Sequence, residues 1–78
     1  MKETFKEKVA SELRAFRAKS NLTQKEVANI AGIDIMTVAR YENNSTSMQL
    51  DMLEKILSVY KIPLDIFFYK CFCKYAEI

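Results

Sequence analysis

The sequence contains no histidine and no tryptophan, and it has one glycine, Gly32, and one proline, Pro63. Without histidine, the commonest general base and the commonest metal ligand are missing. A single glycine excludes a glycine-rich phosphate loop and leaves too few turn residues for a β-sandwich or barrel. No apolar run approaches the roughly 20 residues of a membrane span. We therefore expect no enzyme, no cofactor, no metal site and no membrane segment.

The length and composition are typical of one small globular domain. Of the 78 residues, half are hydrophobic and 28% are charged, with a net charge of +2. The charge excess lies in residues 1–44, which is compatible with a nucleic-acid partner but does not indicate one by itself. The first residues carry no apolar signal segment, and we expect Cys71 and Cys73 to be reduced thiols that act as small hydrophobes in a cytoplasmic protein.

Capping residues divide the chain into five short helices, with no strand pattern. The first two helices are predicted to begin at Thr-x-x-Glu capping boxes, at residues 4–7 and 23–26. Gly32 is predicted to end the second helix in the left-handed conformation, and Asp34 to open the third. Pro63 is predicted to be the first residue of the fifth helix, where its missing N–H is tolerated.

Apolar residues three and four positions apart predict which helix faces are buried. These are Phe5, Val9, Leu13 and Phe16 in the first helix, Val27, Ile30 and Ala31 in the second, and Leu50, Leu53, Ile56, Leu57 and Tyr60 in the fourth. In the third helix Val38 and Tyr41, with Ile33 before them, are predicted to face the core. The opposite face carries Ile35, Met36, Ala39, Arg40 and Asn43.

A short helix, a tight turn with glycine and a second short helix form the helix-turn-helix pattern. The sequence resembles the phage-repressor and Cro type (XRE-like) family of helix-turn-helix proteins, many of them single-domain bacterial or phage transcriptional regulators. The resemblance rests on LTQKEVA at residues 22–28, GID at 32–34 and TVARYEN at 37–43, and it spans roughly residues 5–68. It implies an all-α, lambda-repressor-like bundle of five short helices, forming one domain over residues 1–78 with its core in 4–69.

The resemblance also implies a function and a set of site residues. The protein is expected to be a repressor that binds double-stranded DNA, with the helix at residues 34–43 in the major groove. The residues expected to reach base edges are Ile35, Met36, Ala39 and Arg40. Those expected to contact phosphates are Thr23, Gln24, Lys25, Thr37, Asn43, Asn44 and Ser45. Arg17 and Glu42 match a structural ion pair of the family.

Four positions depart from the family pattern. Ile35 and Met36 stand where hydrogen-bonding side chains are common, which leaves two interpretations. Either they contact thymine methyl groups, or the groove face has lost its base readout and now binds a protein. Asn44 replaces a glycine, and asparagine tolerates the left-handed conformation. Gln49 replaces a serine or threonine helix cap, so the start of the fourth helix is poorly marked.

Aromatic residues are concentrated at the end of the chain, where five of the nine lie in residues 67–78. Residues 66–78 either extend the fifth helix over the core or form a homodimer interface. The residues predicted to form that interface are Phe67, Phe68, Phe72 and Tyr75. We expect a homodimeric regulator; the alternative is a protein-binding adaptor or antitoxin-like module with degenerate DNA readout.

Overall fold

A computed structural model describes the backbone of residues 4–76 and the side chains of residues 4–73. Every regular element in this part of the chain is a helix, which confirms the predicted all-α fold. The helices are α1 (Phe5–Ser20), α2 (Gln24–Ala31), α3 (Ile35–Glu42), α4 (Leu50–Val59) and α5 (Leu64–Ala76). Helix α2 packs on α3 and α4, while α1 packs on α5 and α3.

Both predicted capping boxes are present and set the starts of α1 and α2. The hydroxyl of Thr4 accepts from the Glu7 amide at 3.1 Å, and the Glu7 carboxylate accepts from the Thr4 amide at 2.7 Å. The box of α2 has the same form, with distances of 3.1 and 2.8 Å. Gly32 ends α2 in the left-handed conformation at φ 73°, as the sequence predicts. These signals fix the starts of α1 and α2 and the end of α2.

The start of α4 is poorly marked in the sequence, and the start of α5 differs from the prediction. Gln49 precedes α4 without a side-chain cap, and its amide instead donates to the Tyr41 hydroxyl at 2.9 Å. Pro63 was predicted to be the first helical residue, but α5 begins at Leu64. The Pro63 carbonyl accepts the Phe67 amide at 3.0 Å, so proline sits one residue earlier, just before the helix. The chain arrives there through a left-handed Lys61 that no sequence signal marked.

The core is formed by one apolar cluster that draws on all five helices. Its buried members are Val9, Leu13, Val27, Ala28, Val38, Tyr41, Leu53, Ile56, Leu57, Phe67 and Cys71. The prediction that Ile30 and Leu50 belong to the core is wrong, because these residues are 63% and 61% exposed. Helix α2 buries Val27 and Ala28 against its two neighbours, which leaves Ile30 on the flank, and Leu50 lies at the exposed start of α4.

The C-terminal helix also corrects the predicted interface and the predicted role of one cysteine. Phe67 is completely buried in the core, so it is not available to a second chain. Phe68 is half-buried and Phe72 is 58% exposed, while the Tyr75 side chain lies outside the described residues. Cys71 is buried in the core, as predicted for a small hydrophobe, but Cys73 is exposed. None of the described helices combines the length and apolarity needed to cross a bilayer.

Candidate nucleic-acid interface

Helix α3 has one buried face and one open face. Val38 and Tyr41 are almost fully buried and hold the helix against the core. On the opposite side Ile35 and Met36 are 41% and 51% exposed, Arg40 is exposed and Ala39 is half-buried. Three of the four residues predicted to read bases therefore have accessible side chains, and the fourth presents a methyl group at the edge of the same face.

The ends of α3 are fixed by local hydrogen bonds. At its start the Asp34 carboxylate accepts the Met36 amide at 3.3 Å, as predicted for a cap. At its end Asn44 takes the left-handed conformation at φ 56°, in the place where the family pattern has glycine. The next amide, of Ser45, donates to the Arg40 carbonyl at 3.0 Å. The open face is thus presented by a helix with defined ends.

The carboxylate of Glu42 joins the first three helices. Arg17 Nε lies 2.8 Å from Glu42 Oε2 and 3.1 Å from Oε1, so the predicted ion pair is made. Gln24 Nε2 donates to Glu42 Oε1 at 3.1 Å, and Arg17 Nη1 donates to the Leu22 carbonyl at 3.1 Å. The Glu42 side chain is only 3% exposed, whereas that of Arg17 is 26% exposed. Because α1, α2 and α3 share this carboxylate, the helix-turn-helix formed by α2 and α3 is held at a fixed angle to α1.

This buried charge also affects its neighbours. The hydrogen bond to Glu42 raises the pKa of Arg17, against the opposing effect of burial. Burial, and secondarily the negative charge of Glu42, raises the pKa of Tyr60 to about 12. The Tyr60 hydroxyl is buried without a hydrogen-bond partner, which a neutral phenol tolerates better than a phenolate does. Arg17, Gln24 and Glu42 thus form a cluster around one buried carboxylate, which we call the Glu42 cluster.

The residues predicted to contact phosphates fall in three places. Thr23, Gln24 and Lys25 lie at the start of α2, Thr37 lies within α3, and Asn43, Asn44 and Ser45 follow it. The Gln24–Glu42 bond brings the start of α2 beside the end of α3. The hydroxyl of Thr23 is used by its capping box, and one amide hydrogen of Gln24 by Glu42, so both side chains are held in position. Lys25 and Asn43 are exposed.

Arg14 also belongs to this region, although no sequence motif singles it out. Its Nη1 donates to the main-chain carbonyl of Glu42 at the end of α3. Arg14 also lines a small polar depression of about 200 Å³ together with Glu7, Asn43 and Asn44. A guanidinium at this place adds positive charge beside the segment predicted to contact phosphate. The available signal was its spacing, since Arg14 lies one helical turn before Arg17 on α1.

A second group of apolar side chains lies where α1 meets α5. The Phe72 ring stacks on Phe5 with ring centroids 4.5 Å apart, and Phe68 lies 6.2 Å from Phe5. We call Phe5, Phe68 and Phe72 the aromatic surface. An apolar groove of about 330 Å³ adjoins it and is also lined by Leu50 and Leu53.

Comparison with known proteins gives matches to the motif and to the fold. A family profile described as helix-turn-helix matches residues 13–67. The sequence is 34% identical over 55 residues to the cryptic phage CTXphi transcriptional repressor RstR of Vibrio cholerae, which covers 70% of this chain and 50% of the relative. The chain thus spans about half the length of the curated relative it matches.

The fold is similar to a crystal structure of a single-residue variant of the restriction-modification controller protein C.Esp1396I. The TM-score is 0.82, and the alignment covers 95% of this chain and 94% of that protein. Sequence identity is 22%, so this likeness concerns the fold alone.

Proposed function

The chain belongs to the helix-turn-helix family of Cro/C1-type DNA-binding regulators, and from this premise we propose that it is a transcriptional repressor that binds its operator as a homodimer in the cytoplasm. Membership of this family also confirms the prediction that the chain is not an enzyme. The observation that carries the proposal is the open face of α3, held in place by the buried Glu42 cluster. A rigid, exposed helix of this kind fits the major groove.

The proposed docking places α3 in the groove with Ile35, Met36, Ala39 and Arg40 toward the base edges. Arg40 is the exposed side chain of this set that can donate two hydrogen bonds to one base. A guanidinium matches the O6 and N7 acceptors of guanine in this way. We assign Arg40 the reading of one guanine in each half-site.

The phosphate contacts are proposed to flank the groove on both sides of α3. At the start of α2 the capping box uses the amides of Thr23 and Glu26, which leaves the amides of Gln24 and Lys25, with the positive end of the helix dipole, to favour an anion. Gln24, held by Glu42, and the exposed Lys25 contribute side chains there. Residues 43–45 follow α3 with Arg14 behind them, and they are proposed to hold the other phosphate track.

The proposed homodimer uses the aromatic surface. A contiguous apolar patch is typical of an association site, and here the exposed Phe72 stacks on the half-buried Phe5. To reach two successive major grooves, a two-fold pair must hold its two copies of α3 about 34 Å apart, one turn of B-DNA. Phe72 is the most exposed member of the surface, and Phe68 is proposed to be covered with it.

The experiment for DNA binding is a selection from random duplexes, followed by measurement of affinity for the enriched sequence. Arg40→Ala is expected to reduce discrimination at one base pair by about 1–3 kcal/mol, while Gln24→Ala weakens all duplexes about equally. The exposed Ile30→Ala on the flank of α2 is the control and is expected to bind like the wild type. If Arg40→Ala keeps full discrimination at every position, the docking is wrong.

The experiment for the dimer is sedimentation equilibrium of the free protein. Phe72→Glu places a charge in the aromatic surface and is expected to shift the mass toward that of the 9.1 kDa monomer. Ile30→Glu is the matched control, because Ile30 is similarly exposed but lies on α2. A wild type that stays monomeric at every concentration refutes the dimer, as does an equal effect of both variants.

A second candidate function is a protein-binding adaptor or antitoxin-like module with degenerate DNA readout. It is favoured by the apolar side chains at the start of α3 and by the net charge of only +2. The two functions differ in salt dependence, because each phosphate neutralised by the protein adds to the loss of affinity with rising salt. An adaptor is expected to show weak DNA binding without sequence preference.

A further inference from the structure

The start of α3 presents two adjacent apolar side chains to solvent. Ile35 is 41% exposed and Met36 is 51% exposed. Neither has a side-chain hydrogen-bond donor, and Met offers only a weak acceptor. Residues at the start of a recognition helix are the ones that come closest to base edges in the major groove. In the proposed docking, apolar atoms therefore stand where hydrogen-bonding groups would otherwise read the bases.

The position of these two side chains is well defined. The Asp34 carboxylate accepts the Met36 amide at 3.3 Å and holds the first turn. Val38, one turn further along, is buried and fixes the rotation of α3 about its axis. Ile35 is β-branched, so its side chain is largely restricted to one rotamer in a helix. Contacts made by such a pair depend on position as well as on hydrophobicity.

The major groove offers one prominent apolar group, the C5-methyl of thymine. Thymine also presents its O4 acceptor, whereas guanine, cytosine and adenine have no methyl group there and present hydrogen-bonding groups that would lose water against Ile35 or Met36 without gaining a partner. Two effects then discriminate between bases. Burial of the methyl group favours the correct base, and polar groups left unpaired disfavour the wrong one.

We infer that Ile35 and Met36 are specificity-determining residues that read the C5-methyl groups of pyrimidines, so that each half-site carries thymines at the positions they contact. This inference rests on the proposed function, because it names the chemistry of the operator at that same face. It extends to 5-methylcytosine, which carries its methyl group at the same ring position in the groove. Ile35 and Met36 recognise the methyl group itself and not the base pair that carries it.

The test removes single methyl groups from the operator enriched by selection. Each thymine is replaced in turn by deoxyuridine, which keeps the base pair and lacks only the methyl group. At one or two positions in each half-site, the wild type is expected to bind about fourfold more weakly, which corresponds to the loss of one buried methyl group. At other thymines the replacement is expected to have no effect.

Variants assign the effect to the two residues. In Ile35→Ala and Met36→Ala, the penalty for deoxyuridine is expected to fall to nearly onefold at the position that each residue contacts. Both side chains are exposed, so the variants should keep the thermal stability of the wild type. Arg40→Ala is the matched control, since it weakens binding through another position and should keep the full fourfold penalty. Restoring the methyl group as 5-methylcytosine, paired with guanine, should recover part of the affinity lost by unmethylated cytosine at the same position.

The outcomes separate this inference from the proposed function. An enriched operator with no deoxyuridine penalty at any thymine overturns the methyl readout and leaves the repressor proposal standing. A penalty that survives unchanged in both alanine variants also overturns it, because the methyl group is then read by other residues. A selection that enriches no sequence overturns the proposed function and this inference with it.

Discussion

Replacing Arg17 with methionine tests whether the buried carboxylate of Glu42 depends on its cation. The variant keeps the aliphatic bulk of the side chain but leaves Glu42, which is 3% exposed, with Gln24 as its side-chain partner. Removing one partner of a buried pair costs about 3–5 kcal/mol of unfolding free energy. Because Arg17 is 26% exposed and water can enter its place, we expect about 2–3 kcal/mol here.

The assay is urea unfolding followed by circular dichroism, with thermal unfolding as a second readout. For a domain of this size, a loss of 2–3 kcal/mol lowers Tm by roughly 10–20 °C. The double variant Arg17→Met/Glu42→Met removes both charges and is expected to be more stable than Arg17→Met alone. Lys6→Met is the control, because Lys6 is an exposed cation on the same helix, and its cost should stay within about 0.5 kcal/mol.

Two results would refute this reasoning. One is an Arg17→Met variant that unfolds within about 0.5 kcal/mol of the wild type, which would mean that the pair contributes no more than a surface contact. The other is a double variant whose loss equals the sum of the two single losses, since additivity means that the two side chains do not interact.

Three further predictions concern stability. Leu53→Ala is expected to cost about 2–5 kcal/mol in urea unfolding, whereas Leu50→Ala on the same helix should cost under about 0.5 kcal/mol, because Leu53 is 2% exposed and Leu50 is 61% exposed. Burial raises the pKa of Tyr60 to about 12, from about 10 in the unfolded chain. The stability that the neutral Tyr60 phenol contributes to the fold is therefore complete below pH 10 and is lost as the pH rises to 12. Tyr60→Phe should remove that part of the alkaline loss while leaving stability at pH 7 unchanged or slightly higher, measured by unfolding across this range. Asn44→Val should cost about 1–2 kcal/mol because φ is 56°, whereas Asn44→Gly should be tolerated in the same assay.

Local signals predicted the starts of α1, α2 and α3 because the interactions behind them are local. A capping box joins residues three apart, as at Thr4 and Thr23. Gly32 supplies the left-handed conformation that ends α2, and this depends on the backbone at that residue alone. The open face of α3 followed from spacing in the same way. The ion pair of Arg17 and Glu42 needed the family resemblance, since the two residues are 25 positions apart and no local pattern joins them.

The errors arise where packing between helices decides the outcome. Helix α2 has only eight residues and contacts two helices, so its buried side is set by their positions, and Ile30 is exposed although its spacing fits a stripe. Residues 66–69 are all apolar or aromatic and cover every face of α5. Periodicity therefore could not show that Phe67 turns inward. Gln24 and Arg14 bond to Glu42 through contacts between helices that the sequence does not mark.

The central claim is that the open face of α3 recognises DNA by sequence. The most direct measurement is the affinity of the wild type for its selected duplex and for a scrambled duplex, each titrated with salt. We predict steep salt dependence for both duplexes and a specificity ratio of at least about 10³ for the selected one. Equal affinity for the two duplexes at every salt concentration would contradict the claim.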